Sequence, residues 1–138
     1  MPNVVIEVID VAKVFPDREG RSIRVLEKVT FQVYEGETLV IMGGSGCGKS
    51  TLLNCMIGEF PCDEGQIKLF GQDITEKDEF ELNEIRKQFG ILFQSGALYN
   101  SMTVGENVAL PLIEHSSLDR SVVDIIVMMK LEQVKMLA

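Results

Sequence analysis

The sequence predicts an α/β fold in which alternating strands and helices build a parallel-sheet core, with an antiparallel β portion added at the N-terminus. Three observations predict it. Residues 4–14 are rich in β-branched side chains, and Val29, Phe31 and Val33 alternate with Thr30, Gln32 and Tyr34, the period of a half-buried strand. From Thr38 onward, short apolar runs alternate with helix-competent segments, the order of strand–helix units. Between the first such run and the first such helix lies a glycine-rich turn followed by lysine and serine, within TLVIMGGSGCGKSTLLNCMI at 38–57. The 138 residues amount to one domain at most, long enough to bury a real core.

The elements follow in order. The first strand spans 4–14 and ends near Phe15 and Pro16; residues 17–20 turn the chain. Short strands are expected at 23–26 and 29–33, and Glu35 and Gly36 turn again. The nearly all-apolar run from Leu39 to Met42 reads as a central strand covered on both faces. A helix from Lys49 to Ile57 is apolar on most sides through Leu52, Leu53, Cys55, Met56 and Ile57, and is expected to be buried; Gly58 and Pro61 end it. A strand at 67–70 precedes the turn Gly71, Gln72, Asp73. Residues 78–88 form a helix with Phe80, Ile85 and Phe89 spaced for one face, and 91–93 a short buried strand ending at Gln94. Residues 95–101 are a loop. Thr103 and Glu106 have capping-box spacing and open a short helix that stops at Pro111. The last helical pattern runs over 119–138, on Val122, Val123, Ile125, Ile126, Met129 and Val134.

The glycine-rich turn carries the chemistry. Gly43, Gly48, Lys49 and Ser50 fit the P-loop pattern G-x-x-x-x-G-K-[ST], with the strand before and helix after that the motif needs. Glycines permit positive φ and put no Cβ in the way, so successive backbone N–H groups can turn inward around phosphate oxygens. The helix beginning near Lys49 aims its positive end at the same anion. Lys49 adds a full charge on a flexible stem, and the Ser50 hydroxyl can ligand Mg²⁺. The motif points to binding of a nucleotide's phosphates.

Charge and cysteines narrow the class. A formal charge of −8 with no basic stripe argues against non-specific nucleic-acid binding and against adsorption to anionic lipid. The acids between Asp73 and Glu84 read as a solvated helix face. No apolar run approaches the roughly 20 residues needed to span a bilayer, and residues 1–10 lack the basic start of a signal peptide, so the cytosol is expected. Cys47, Cys55 and Cys62 are odd in number and form no C-x-x-C, which disfavours a disulfide framework or a zinc site. Cys55 reads as core. Cys47 lies in the phosphate loop near a helix N-terminus and Lys49. It reads either as a reactive thiol whose alkylation blocks nucleotide binding or as a small filler in a tight loop.

Beyond the loop, residues 26–74 (LEKVTFQVYEGETLVIMGGSGCGKSTLLNCMIGEFPCDEGQIKLFGQDI) and 91–112 (ILFQSGALYNSMTVGENVALPL) resemble the first half of the ATPase subunit of an ABC transporter. FQSGALYNSMTVGENVALPL and the later VMMKLEQV are similar in particular to the ATPases of Mla-type phospholipid transporters. The resemblance implies a P-loop NTPase fold and ATP with Mg²⁺ as cofactors. It gives Gly43, Gly44, Ser45, Gly46, Cys47, Gly48, Lys49, Ser50 and Thr51 to the phosphates, with Lys49 on the β- and γ-phosphates. It makes Ser50 and Gln94 the Mg²⁺ ligands, Gln94 with Lys49 part of the catalytic set, and Phe15 the aromatic that stacks on adenine, although Phe15 also reads as an ordinary strand-end residue. It places the segment from Ser95 to Leu110 against a membrane permease at the cytoplasmic face of the inner membrane, with Leu98, Tyr99 and Met102 reading either as an exposed interface patch or as core. It also implies a second ATPase subunit, a substrate-binding partner of the mammalian-cell-entry type, and no nucleic acid. His115 does not match the family's switch histidine and reads as a surface residue.

The sequence also departs from the family. No LSGGQ-like signature, no strand ending in an Asp-Glu pair and no switch histidine occur within it, so the general base for water is absent. The chain therefore reads as the N-terminal half of such a domain, from a truncated or interrupted gene, with an incomplete parallel sheet. Two readings follow: part of an ATPase that drives phospholipid transport, or a module that binds ATP without turnover. ATPases of lipoprotein-release or cell-division systems are alternatives; a small-molecule kinase is disfavoured because GILFQ and TVGENV have no place there. On its own the chain is expected to be marginally stable and prone to aggregate through apolar strands without ladder partners.

Overall fold

A computed structural model describes residues 2–93 and 96–136, with side chains given up to residue 130. The chain divides into two compact units, Met1–Gln88 and Phe89–Ala138.

The first unit is organised on an antiparallel sheet of order β2-β1-β3-β4. β1 (Val4–Pro16) lies between β2 (Ser22–Tyr34) and β3 (Glu64–Leu69), and β4 (Gln72–Asp73) closes a hairpin on β3. The two strands expected at 23–26 and 29–33 are one. Lys28, at φ 45°, carries the chain through an irregularity rather than ending the strand. β1 bulges at Asp10 (φ 48°), where its register shifts against both neighbours between Val8 or Ile9 and Val11 or Ala12. The bulge is held locally: the Asp10 amide donates to Thr30 Oγ1 at 2.8 Å. It also explains Gly65. That residue sits at φ +85°, and a Cβ there would lie 2.4 Å from the carbonyl oxygens of both Ile9 and Asp10. Val8, Val11, Ala12 and Ile67 are fully buried, so the core sits under the middle of β1 and β3.

α1 (Lys49–Met56) buries Leu52, Cys55 and Met56 and ends as expected at Gly58, which has φ +74°. α2 (Glu79–Arg86) starts at a complete capping box between Asp78 and Glu81 and buries Leu82 and Ile85. Phe80 is not on its core face as the spacing suggested. It is 75% exposed, because Leu82 and Ile85, three apart, already fill the buried stripe. Arg86 reaches back from α2 and donates to the carbonyls of Ile57 (3.1 Å) and Gly58 (3.0 Å), satisfying acceptors at the C-terminal end of α1.

Two further expectations are corrected. Residues 38–42 form no strand, and Leu39, Val40, Ile41 and Met42 are all exposed. Residues 91–93 form none either, and Leu92 is 89% exposed. A continuous apolar run becomes a central strand only when neighbours supply ladder hydrogen bonds and cover both faces, and among the described residues nothing pairs with either segment. The parallel part of the expected sheet is thus not formed here.

The second unit is a helical pair. α3 (Val104–His115) begins at the capping box of Thr103 and Glu106, as the spacing predicts. It does not stop at Pro111 but continues to His115, since a proline inside a helix removes one hydrogen bond without forbidding the next turn. α4 (Arg120–Met136) follows. Ala109 packs with Val123 and Val127, flanked by Val108 and Leu112. His115 is exposed, as expected. Among the described residues no helix is long and apolar enough to cross a membrane.

Candidate functional site

The glycine-rich loop joins residues 38–42 to α1. Gly46 (φ +79°) and Gly48 (φ +93°) turn the chain through the left-handed region just before the helix. Gly48 is needed for space as well. A Cβ there would meet the Val25 carbonyl oxygen at 3.0 Å and the Leu26 and Val25 side chains at 3.1 Å, so the loop is seated against β2. Gly48 is also the N-cap of α1, and no side chain caps it. The first-turn N–H groups of α1 are therefore left to a ligand or solvent, at the positive end of the helix dipole.

Lys49 folds back over the loop. Its Nζ donates to the Gly43 carbonyl at 2.7 Å and to the Gly44 carbonyl at 2.6 Å, and lies 3.5 Å from Cys47 Sγ. The Cys47 thiol is exposed and nests on Gly43, where a Cβ would come within 2.6 Å of the sulfur. Ser45 and Ser50 are exposed and Thr51 is half-buried. The loop thus brings together a free helix N-terminus, an ammonium group and a hydroxyl beside it. That set fits the phosphates of a nucleotide and, through the Ser50 oxygen, a hard cation such as Mg²⁺.

Phe15, proposed to stack on adenine, stands half-buried near the end of β1 and pairs in register with Ile23 of β2. Gly48 touches Val25 and Leu26, two and three positions further along the same strand, so the hairpin places Phe15 and the phosphate loop on neighbouring parts of one surface. Sequence reasoning missed the residues that hold Phe15. Phe60 meets its ring edge to face, with centroids 5.7 Å apart and planes at 74°. The ammonium of Lys13 lies 5.4 Å from the Phe15 ring centroid. Lys13 is 8% exposed, a buried cation made tolerable by Asp63 at 3.2 Å. Asp63 also accepts from the Val14 amide at 2.7 Å. That bond, followed by the bond to Lys13, holds its carboxyl below the usual range. The aromatic of Phe60 between Gly58 and Pro61 was the only signal in the sequence for this brace.

Gln94, the proposed sensor and metal ligand, and Ser95 lie outside the described residues. In the second unit, Leu98, Tyr99 and Met102 are exposed rather than core. Asn107, which the sequence did not single out, organises them. Its Oδ1 accepts from the Tyr99 amide at 2.8 Å, and its Nδ2 contacts the carbonyls of Tyr99, Met102 and Thr103 at 3.2, 3.3 and 2.9 Å.

Comparison with known proteins gives consistent findings. The family model described as ABC transporter matches residues 26–137. The intermembrane phospholipid transport system ATP-binding protein MlaF of Haemophilus influenzae is 43% identical over 110 residues, covering 80% of this chain and 42% of that protein. The probable ribonucleotide transport ATP-binding protein mkl of Mycobacterium leprae is 44% identical over 132 residues, covering 96% of this chain and 37% of that protein. Among solved structures, the dimeric post-hydrolysis ATP-binding cassette MJ0796 bound to ADP and Pi matches with a TM-score of 0.83 at 30% identity, over 94% of this chain and 57% of the other. The chain spans less than half the length of these two relatives.

Proposed function

The chain belongs to the ABC transporter family, and from that premise we propose that it is the nucleotide-holding part of an ATPase that powers phospholipid transport between membranes through a permease. The observation that carries the reading is the loop at Gly43–Ser50. There, an uncapped α1 N-terminus and the Lys49 ammonium converge, and Lys49 is held by two neutral carbonyls and the Cys47 sulfur. A triphosphate offers that ammonium charged acceptors in place of neutral ones, and charge-assisted bonds are roughly twice as strong. Gly43, Gly44, Ser45, Gly46, Cys47, Gly48 and Thr51 surround the phosphates in this reading, Lys49 sits on the β- and γ-phosphates, and Phe15 stacks on the base. Mg²⁺ supplies Lewis-acid neutralisation of phosphate charge when bound; Ser50 and Gln94 would hold it. The exposed Cys47 thiol beside Lys49 makes alkylation there a block to nucleotide entry.

The choice of phospholipid rests on the similarity to MlaF; the similarity to mkl leaves other transport systems as the alternative. In the full-length protein, the loop carrying Leu98, Tyr99 and Met102, fixed by Asn107, would face a permease at the cytoplasmic side of the membrane, with a mammalian-cell-entry-type substrate-binding protein as a further partner. A second ATPase subunit completes it, as in the dimeric cassette. No strand ending in an Asp-Glu pair, the family's source of a general base for water, occurs among these 138 residues, and we propose that this segment binds ATP without turning it over. A turnover assay on the 138-residue chain, with Lys49→Ala as the control, tests this. Phosphate release equal to that of the variant is expected; clear Lys49-dependent hydrolysis would contradict it. Transfer of labelled phospholipid between vesicles by the full-length protein with its permease tests the substrate, and no ATP-dependent transfer would remove it.

A further inference from the structure

α1 and the segment joining it to β3 carry two thiols that line one cavity. Cys55 lies on the buried face of α1 at 1% exposure, and Cys62 is half-buried seven residues on. Both line one cavity of about 100 Å³ with Phe60, Ile67 and Leu82, so the two thiols face the same small space. The neighbouring Cys55, aided by the Lys13 ammonium, holds the Cys62 thiol below its usual range, while Cys62 and burial push the Cys55 thiol up. Between them the chain doubles back on the helix, with the Glu59 and Phe60 amides both donating to the Asn54 carbonyl at 2.8 and 3.2 Å. Phe60 braces Phe15, and Asp63, next to Cys62, holds Lys13 and Val14. One short segment therefore links the helix that bears the phosphate loop to the proposed base-stacking ring.

We propose that Cys55 and Cys62 form a reversible dithiol–disulfide switch that shifts Phe60 and with it the Phe15 end of the nucleotide site. The consequence for nucleotide rests on the site reading above. The oxidant is a low-molecular-weight disulfide, RSSR. The Cys62 thiolate attacks one sulfur, forming a mixed disulfide and expelling RS⁻. Cys55 then loses its proton and attacks Cys62 Sγ. The Cys55–Cys62 bond forms, the mixed S–S bond breaks, and a second RS⁻ leaves. Two protein thiols lose two electrons, RSSR gains them, and the two protons end on the two RSH released.

The test equilibrates the 138-residue chain and Cys62→Ser in stepped mixtures of reduced and oxidised glutathione, quenches with a maleimide and maps the products by mass spectrometry. Affinity for a fluorescent ATP analogue with Mg²⁺ is then measured on the same pair carrying Cys47→Ala, so that oxidation at Cys47 does not itself close the site. The exposed Cys47 reports in both mapped proteins that the oxidant acted. The expected result is a Cys55–Cys62 linkage in the unmutated chain. Its analogue affinity should then be about tenfold below that of equally oxidised Cys62→Ser, within the usual span of coupling between sites. Glutathionylated Cys47 without the linkage would overturn the proposal, as would a linkage that leaves affinity equal to that of the oxidised variant. A reduced chain that binds no analogue counts instead against the site reading. The switch is then decided by hydrogen exchange at the Val14 and Phe15 amides, which must change on oxidation.

Discussion

β1 and the run 39–42 are both rich in apolar side chains, yet they end in opposite states. In β1, Val8, Val11 and Ala12 are fully buried; in the run before the phosphate loop, Met42 is 85% exposed and its three predecessors are also open to solvent. Composition does not separate them. Partners do. β1 finds β2 through a short connection and β3 through the α1 segment, both antiparallel, and each takes up one edge of its ladder. The run at 39–42 has the continuous apolar pattern of a strand needing neighbours on both edges and cover on both faces, and no described residue supplies them. Periodicity reports what environment a segment is built for; it does not report whether that environment is present.

The comparison can be broken first at Gly65. An alanine there must take φ +85° and press on two carbonyls of the β1 bulge, for an expected loss of about 4 kcal/mol from strain and overpacking together. Urea denaturation followed by circular dichroism measures it; a loss below about 1 kcal/mol would mean the bulge yields freely. Next, Ile67→Ala should cost about 3 kcal/mol because the residue is fully buried, whereas Met42→Ala should fall within about 0.5 kcal/mol, because the residue is 85% exposed. Equal costs would show that 39–42 is packed in solution. The same exposed run should make the chain self-associate, and a reversible, cooperative melt of a monomer would contradict that. The smallest effect is the acid limb. Asp63 is depressed in the folded state by the Val14 amide and Lys13, so its contribution is present above the unfolded value near pH 4 and is lost as pH falls through the lower folded value. Asp63→Asn should flatten stability as pH falls below about 4 relative to the parent, and an unchanged acid limb would remove Asp63 from the account.

The candidate site was proposed from the sequence where chemistry fixes the residue type. The loop glycines, Lys49 and Ser50 follow from what phosphate needs, and the capping box at Thr103 from what a helix start needs. Cys55 was legible as core because it lies among the apolar residues of α1. What was not legible depends on contacts distant in sequence. Lys28 and Asp10 bend strands through bulges that no propensity marks, and Phe80 loses its place to Leu82. Phe60, Lys13 and Asp63 become a support for Phe15 only once β1 and the α1–β3 segment meet. Asn107 likewise matters through loop carbonyls up to eight residues away.

The central claim is that the Gly43–Ser50 loop, despite its unpaired approach strand, is a phosphate site that Lys49 completes. Equilibrium titration of the 138-residue chain and Lys49→Ala with a fluorescent ATP analogue, with and without Mg²⁺, tests it most directly. The account predicts saturable, Mg²⁺-enhanced binding in the parent and at least about tenfold weaker binding in the variant, the loss of one charge-assisted contact. Equal affinity in the two proteins, whether strong or absent, would contradict it.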